Sequence, residues 1–387
     1  MGPYLRLLSR RQHTWAAFGL VLVALLATTG LLLERNGTPP AVTDISPSMS
    51  LKEIAPRLGV TGKSLARELS LPLNTPKGAP LTRFGVTGER LGHAVEHLLG
   101  HRGTGLKYWL FAALVVWGWI YLTKLGRPDL ATERKQRKLW YPRTVHLATL
   151  VVAVTVTGFL LGKSPNPMEG AVKVFKSMVG LYPDILAKVL AFVFFLGLAI
   201  VGNKLICGWA CPFGALQELV HTLPWLKKLK RRAKPPFLVM NLLRGGLFLL
   251  VLLLLFGWIG GRKGFVVYHF INPFNVFDFE LDTFTIVLTV ALSLVVGLAV
   301  YRPFCQVICP FGFLSWLAER LSIYRVRIDP GLCTEGGACG IACPSDAADG
   351  LVKKDPLRAD CFSCGKCLSS CPTDAIRYES VFAKRGR

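Results

Sequence analysis

Six long apolar runs interrupt the polar residues of this chain, at 15–33, 107–122, 145–161, 185–207, 238–259 and 283–301. Each is long enough to cross a bilayer as a helix. Trp15, Tyr108, Tyr121 and Tyr301 stand at the ends of runs, where interfacial anchors belong. The first run is too long, and too far from a small-residue cleavage site, to be a removable signal peptide. The pattern predicts an α-helical membrane protein with about six transmembrane helices. Between the first two runs, a Pro/Gly-rich linker leads into a small duplicated helical element. Its halves are Leu58-Gly-Val-Thr-Gly-Lys-Ser-Leu65 and Phe84-Gly-Val-Thr-Gly-Glu-Arg-Leu91.

Composition agrees with the runs: 52% of the 387 residues are hydrophobic, and 46 Lys and Arg face 23 Asp and Glu, a net charge of +23. The basic residues are not spread evenly. Arg6, Arg10 and Arg11 precede the first run, seven Lys and Arg follow the second (124–143), and six follow the fourth (227–234). The opposite short loops hold only Lys163, Lys173 and Lys176, and Arg262 and Lys263. This asymmetry orients both termini toward the cytoplasm, across a bacterial inner membrane. The charge therefore reads as topology and attraction to anionic headgroups, and no motif supports nucleic acid as a partner. The expected units are residues 1–33 (N-terminus and first helix), 34–104 (an exported helical segment), 105–162 (helices two and three), 163–322 (helices four to six) and 323–380 (a cytoplasmic domain).

All 11 cysteines lie at or after position 207, on the side this topology makes cytoplasmic, and residues 34–104 have none. That distribution fits reduced, metal-ligating thiols rather than disulfides. Seven fall in two runs that superpose at an offset of 28. The second, Cys361-x2-Cys364-x2-Cys367-x3-Cys371-Pro372, has the bacterial ferredoxin spacing, in which three thiolates hold one cubane and the fourth reaches the other cluster. The first reads Cys333, Cys339, Cys343-Pro344, with Gly336 where its second cysteine belongs. Zinc favours two separated C-x2-C knuckles instead. Crossing the fourth ligands gives one complete 4Fe–4S set, Cys361, Cys364, Cys367 and Cys343. The other set, Cys333, Cys339 and Cys371, suits a 3Fe–4S cluster, or a 4Fe–4S cluster with one differently ligated iron, for which Glu335 is a candidate; a degenerate, empty site is the alternative. A small C-terminal α+β two-cluster ferredoxin-like domain is expected.

The other four cysteines form a second repeat, at an offset of 98: Cys207-Gly-Trp-Ala-Cys211-Pro-Phe-Gly214 and Cys305-Gln-Val-Ile-Cys309-Pro-Phe-Gly312. Each follows an apolar run, and an Asn-Pro pair lies ahead of each, at Asn166-Pro167 and Asn272-Pro273. On a helix, spacing of i and i+4 would put each pair on one face. Four thiolates suffice for a shared cluster at the cytoplasmic membrane face; redox-active dithiols, a Cu(I) site and plain packing are the alternatives. Among the histidines, His93, His97 and His101 recur every fourth residue, which a solvated helix explains as well as a metal. His13 and His146 stand at the cytoplasmic entries of two runs that each continue to Thr-Gly, a placement similar to the axial ligands of membrane b-type haem, although interfacial histidines also serve as plain anchors.

Paired C-x3-C-P-F-G motifs followed by a ferredoxin module resemble the membrane polyferredoxins of the NapH/NosR type. Ser164-Pro-Asn-Pro-Met-Glu-Gly170 with Val174-Phe175-Lys176 is also similar to that family. The resemblance covers roughly residues 144–380. It implies an inner-membrane electron carrier, or redox-complex subunit, rather than a stand-alone enzyme. Electrons would pass between ferredoxin-type clusters and the quinone pool, a partner subunit or an exported protein, in anaerobic respiration. The alternative role is a maturation factor that reduces a metal or thiol centre of a respiratory metalloenzyme. Two departures stand out: Gly336, and the lack of the flavinylation motif of the NosR group.

Overall fold

The structure, a computed structural model, describes residues 45–58, 62–69, 71–72, 75–100, 106–125, 143–179, 185–223, 234–259, 265–279 and 284–383. The expected first span at 15–33, His13 and His101 lie outside these residues.

Helices α1 (Leu51–Arg57), α2 (Gly62–Glu68) and α3 (Gly88–Gly100) make a small bundle. Its nucleus is Leu51, Ile54, Leu58, Leu65, Leu81, Leu91 and Val95, separate from the rest of the core. Ser50 and Glu53 form a capping box that starts α1, the Ser50 amide donating to Glu53 Oε2 at 2.8 Å. The duplicated octapeptide fits the next two helices, since α2 and α3 each begin on the glycine of its Val-Thr-Gly sequence. His93 is exposed on α3, and the side chain of His97 lies outside the described residues.

The larger body follows with α4 (Leu106–Leu125), α5 (Arg143–Val152, continued as a π-helix over Ala153–Leu160), α6 (Pro167–Met178), α7 (Ile185–Gly202), α8 (Pro212–Thr222), α9 (Phe237–Phe256), α10 (Phe284–Gly297), α11 (Pro303–Val307) and α12 (Pro310–Ala318). Three helices among the described residues are long and apolar enough to cross a membrane, at Leu106–Lys124, Ile185–Gly202 and Phe237–Phe256. Val145–Leu160 and Phe284–Gly297 are apolar but shorter.

Two of the apolar runs are thus cut short as helices, the first by a left-handed turn and the second by a non-helical stretch that leads into one. The run 185–207 stops at Gly202 because Asn203 and Lys204 turn left-handed, with φ of 52° and 59°. The run 283–301 stops at Gly297, and Arg302 takes φ 47°. Non-glycine residues in that region cannot propagate a right-handed helix. Hydropathy does not report such a break.

The C-terminal part holds a two-stranded antiparallel sheet of β1 (Tyr324–Ile328) and β2 (Ile376–Ser380), in register Val326↔Tyr378. Between the strands lie three short helices, α13 (Ala338–Ala342), α14 (Ala347–Val352) and α15 (Lys366–Ser370). The sheet is sewn to the end of α7: Ile323 N donates to Ile200 O at 3.0 Å, and Tyr378 Oη to Gly202 O at 2.9 Å. One continuous apolar core runs from Phe111, Leu150 and Phe194 through Trp209 to Val326, Leu368 and Tyr378.

Candidate metal centres

The offset of 28 between the cysteine runs is repeated in the backbone. Glu335 and Ser363 are both left-handed (φ 52° and 48°), as are Gly337 and Gly365 (68° and 76°) and Asp346 and Asp374 (61° and 57°). Cys343 and Cys371 leave α13 and α15 with matching extended geometry, φ/ψ of −78°/119° and −68°/121°. The cysteine loop and the short helix after it are therefore duplicated, and Gly336 occupies the place of Cys364.

Cys343, Cys361, Cys364 and Cys367 line one cavity, walled by Tyr301, Val326 and Phe362. Charge on any one of them is felt by its neighbours in the set. Burial pushes the Cys364 thiol up to about 11, and raises Cys361 and Cys367 further. Bare thiolates are disfavoured in such a shell, and coordination to iron supplies the missing countercharge. Cys333, Cys339 and Cys371 make the second set, with Cys339 sensing the other two. Burial works against the Cys371 thiolate, but hydrogen bonds from Thr373, Ile376 and Ala375 hold its pKa below the ordinary value. Glu335 and Gly336 are exposed beside this set. Its members are the ones expected from the spacing.

The remaining four cysteines converge as well, since Cys309 senses charge on Cys305, Cys207 and Cys211. They do not sit on one helix face per pair, however. Cys207 lies in a π-helical turn, Ile206–Ala210, and Cys305 in α11. Cys211 and Cys309 are extended, with φ/ψ of −68°/117° and −66°/118°, and cap α8 and α12 ahead of proline. A proline at the first helical position needs no amide partner, which is why the pair straddles a helix start. Among the described residues, no three His, Cys, Asp or Glu converge as a single metal ion would require. The corners of a multi-iron cubane stand farther apart than the ligands of one zinc.

Buried cations frame this site, and sequence reasoning missed them. Arg302 donates through NH1 to Cys207 O and through NH2 to Gly208 O at 3.1 Å. Arg244, from α9, donates to Cys305 O at 2.9 Å. Glycine follows because a Cβ at Gly214 would sit 2.9 Å from both Arg302 NH1 and Cys207 O. At Gly312 a Cβ would overlap Cys305 O and come within 3.2 Å of Arg244 NH1. That accounts for the last letter of both C-x3-C-P-F-G motifs. One signal was available: Lys204 and Arg302 each precede the first cysteine of a motif by three residues and are themselves 98 apart.

The ferredoxin-like loop is docked on the membrane motif without a gap. A Cβ on Gly208 would overlap the carbonyl oxygen of Phe362, which lies between Cys361 and Cys364. Trp209 Nε1 donates to Ser363 O at 2.9 Å, and the Ser363 hydroxyl to Asn203 O at 2.7 Å. Thr157 of the π-helix also reaches the motif, at Ala210 O, 3.2 Å. Tyr268, from the segment between α9 and α10, donates to Ile308 O at 3.3 Å.

His146 is buried against Trp209, with ring centroids 4.5 Å apart and Nδ1 3.9 Å from Glu218 Oε1. Its Nε2 has no hydrogen-bond partner. The structure thus places His146 beside the ferredoxin-like loop; the other half of the expected haem pair, His13, lies outside the described residues.

A family described as "4Fe-4S binding domain" matches residues 186–233 and 281–327, the two segments that carry the membrane motifs. The chain is 28% identical over 236 residues to an uncharacterized protein of Methanocaldococcus jannaschii, covering 60% of this chain and 84% of that protein. It is 28% identical over 217 residues to the putative electron transport protein YccM of Escherichia coli, 53% of this chain and 60% of YccM. It is 24% identical over 226 residues to the ferredoxin-type protein NapH of Haemophilus influenzae, 53% of this chain and 72% of NapH. The chain is thus similar to ferredoxin-type electron-transport proteins of the NapH kind. It is a membrane protein of 4Fe–4S, ferredoxin-type electron transport. No solved structure matches this chain.

Proposed function

We propose that this chain conducts electrons between a cytoplasmic ferredoxin-like domain and a four-cysteine site inside the membrane body, and from there to a quinone or an exported or membrane-bound redox partner. The reading keeps six spans with both termini cytoplasmic in the inner membrane, and the unit boundaries expected from the sequence. Cys343, Cys361, Cys364 and Cys367 hold one 4Fe–4S cluster. Cys333, Cys339 and Cys371 hold a second, of 3Fe–4S or ligand-differentiated 4Fe–4S type. Cys207, Cys211, Cys305 and Cys309 hold a third. Bound there, the clusters supply one-electron carriers.

The observation that carries this reading is the contact of Gly208 with the Phe362 carbonyl. It joins Cys207 to Cys361 through a few covalent bonds and one backbone contact. The residues of the chain do the rest: Trp209 and Ser363 fix the two loops, while Phe362 and Tyr301 exclude water from the junction. Tyr268 and Thr157 bond to the motif's own carbonyls, at Ile308 and Ala210, from elements outside the ferredoxin-like part.

The test is anaerobic purification in detergent, an iron count and a redox titration followed by EPR, on the natural chain and on Cys207→Ser and Cys305→Ser. One signal lost in both variants, with the others kept, is expected. No signal lost, with iron unchanged, overturns the third site and leaves a maturation factor or membrane anchor as the account. Stoichiometric copurification with a partner subunit separates an electron-chain component from a maturation factor.

A further inference from the structure

The buried charges around the membrane motif fall into two sets of the same composition. In one, the Glu218 carboxylate accepts from Arg302 NH2 at 2.5 Å, Lys366 Nζ at 2.8 Å and Tyr301 Oη at 2.6 Å. In the other, Asp360 pairs with Lys204 and, at 3.1 Å, with Arg244 NH1. Each set joins two cations to one carboxylate, and so carries one net positive charge. Glu218, Asp360, Arg302, Arg244 and Lys204 are all 1% exposed or less. Each set bridges the membrane body to the loop that carries Cys361, Cys364 and Cys367, through Lys366 in one and Asp360 in the other.

Uncompensated charge is costly in a buried site, and two like-signed excesses side by side are costlier still. Glu319, a further buried acid, also feels Lys204. It is itself paired with Arg358 at 3.5 Å and accepts from the Cys361 amide, so among the described residues it leaves the excess in place. Four neutral thiols leave the excess charge of the two sets unmatched, whereas an anionic tetrathiolate cluster matches it.

We propose that the Arg302–Lys366–Glu218 and Arg244–Lys204–Asp360 sets are the counter-charge of the cluster held by Cys207, Cys211, Cys305 and Cys309, and that they raise its reduction potential so that electrons arriving from the ferredoxin-like domain settle there. The inference rests on the third-cluster assignment above. In the step it concerns, one electron leaves the Cys343/Cys361/Cys364/Cys367 cluster and arrives at the Cys207/Cys211/Cys305/Cys309 cluster. The first is oxidised by one electron and the second reduced by one; no bond forms or breaks. The charges act by position: Arg302 and Arg244 donate to the carbonyls of Cys207 and Cys305, the first ligand of each motif. Net charge and hydrogen bonding near the ligands are among the terms that set cluster potentials.

The experiment is potentiometric EPR on the full chain in detergent, with the third-site signal identified as the one lost in Cys207→Ser. Removing a cation, in Arg302→Gln or Arg244→Gln, lowers the midpoint potential of that signal. Removing an anion, in Glu218→Gln or Asp360→Asn, raises it, and Arg302→Lys restores most of the natural value. Opposite shifts from near-isosteric changes are what a merely structural role cannot give. If the signal is present and its midpoint is unmoved, or moves the same way in all four variants, the counter-charge proposal fails while the third cluster stands. If no Cys207-dependent signal exists, the cluster assignment itself has failed. Iron counts on every variant separate a shifted cluster from a lost one.

Discussion

The two cysteine runs have nearly the same backbone and opposite circumstances. The second is pressed onto the membrane body, with Cys367 buried, Phe362 3% exposed and Ser363 1% exposed. The first shows its tip, residues 334–337, to solvent and has a glycine at its second ligand position. The duplicated left-handed residues show that this is not a difference of folding, because both loops turn at the same places. Space does not forbid a ligand in the first run either. A Cβ on Gly336 would meet nothing nearer than Thr334 Oγ1, at 3.7 Å. The missing cysteine is a chemical difference laid on an unchanged scaffold, and it lies on the run that faces away from the membrane motif.

Breaking the docked run has the largest expected effect. Gly208→Ala drives a methyl into the Phe362 carbonyl and should cost about 3 kcal/mol, at the upper end for overpacking. It should also remove any magnetic interaction between the clusters on either side; a detergent-solubilised melting curve and the EPR line shapes read both. Next, Cys364→Ser should cost the complete 4Fe–4S cluster and loosen the docked loop, whereas Cys333→Ser should erase only the first-run signal and leave the melting temperature near its natural value. Equal destabilisation by the two would mean that the runs are energetically alike.

Gly336→Cys sharpens the contrast in the other direction. It should raise the iron content and replace the first-run signal with that of a four-thiolate cluster, the docked cluster being untouched. An unchanged iron count and spectrum would show that the first site is empty or already has its fourth ligand. The smallest effect is expected from Trp209→Phe, which removes one hydrogen bond to a buried carbonyl and should cost about 1 kcal/mol. A loss several times larger would mean that Trp209 does more than tie the loops together.

Much of this was legible in the residues. The offsets of 28 and 98 and the ferredoxin spacing could be read directly, because cluster ligation fixes spacing tightly. The spacing of Cys207, Cys211, Cys305 and Cys309, by contrast, left a cluster, dithiols, Cu(I) and packing all open. The helix break at Asn203-Lys204 was not legible. Hydropathy averages over a window, and one buried cation in an apolar run barely changes the mean. The triads were hidden for a related reason: Lys366 and Asp360 meet their partners across about 150 residues of chain, and only the docked fold brings them together. The i and i+4 cysteine spacing misled by suggesting a continuous helix, when the proline marks a new helix beginning.

The bundle of α1 to α3 keeps its apolar nucleus to itself, sharing no residue with the core that spans the other helices and the cysteine loops. Two nuclei mean two cooperative units. Calorimetry should resolve two heat-absorption peaks, with only the larger body's peak sensitive to iron chelation. For the history of the chain, the bundle is a cartridge. Among the described residues its apolar nucleus can change without touching the core that holds the cysteines, so the two can diversify separately.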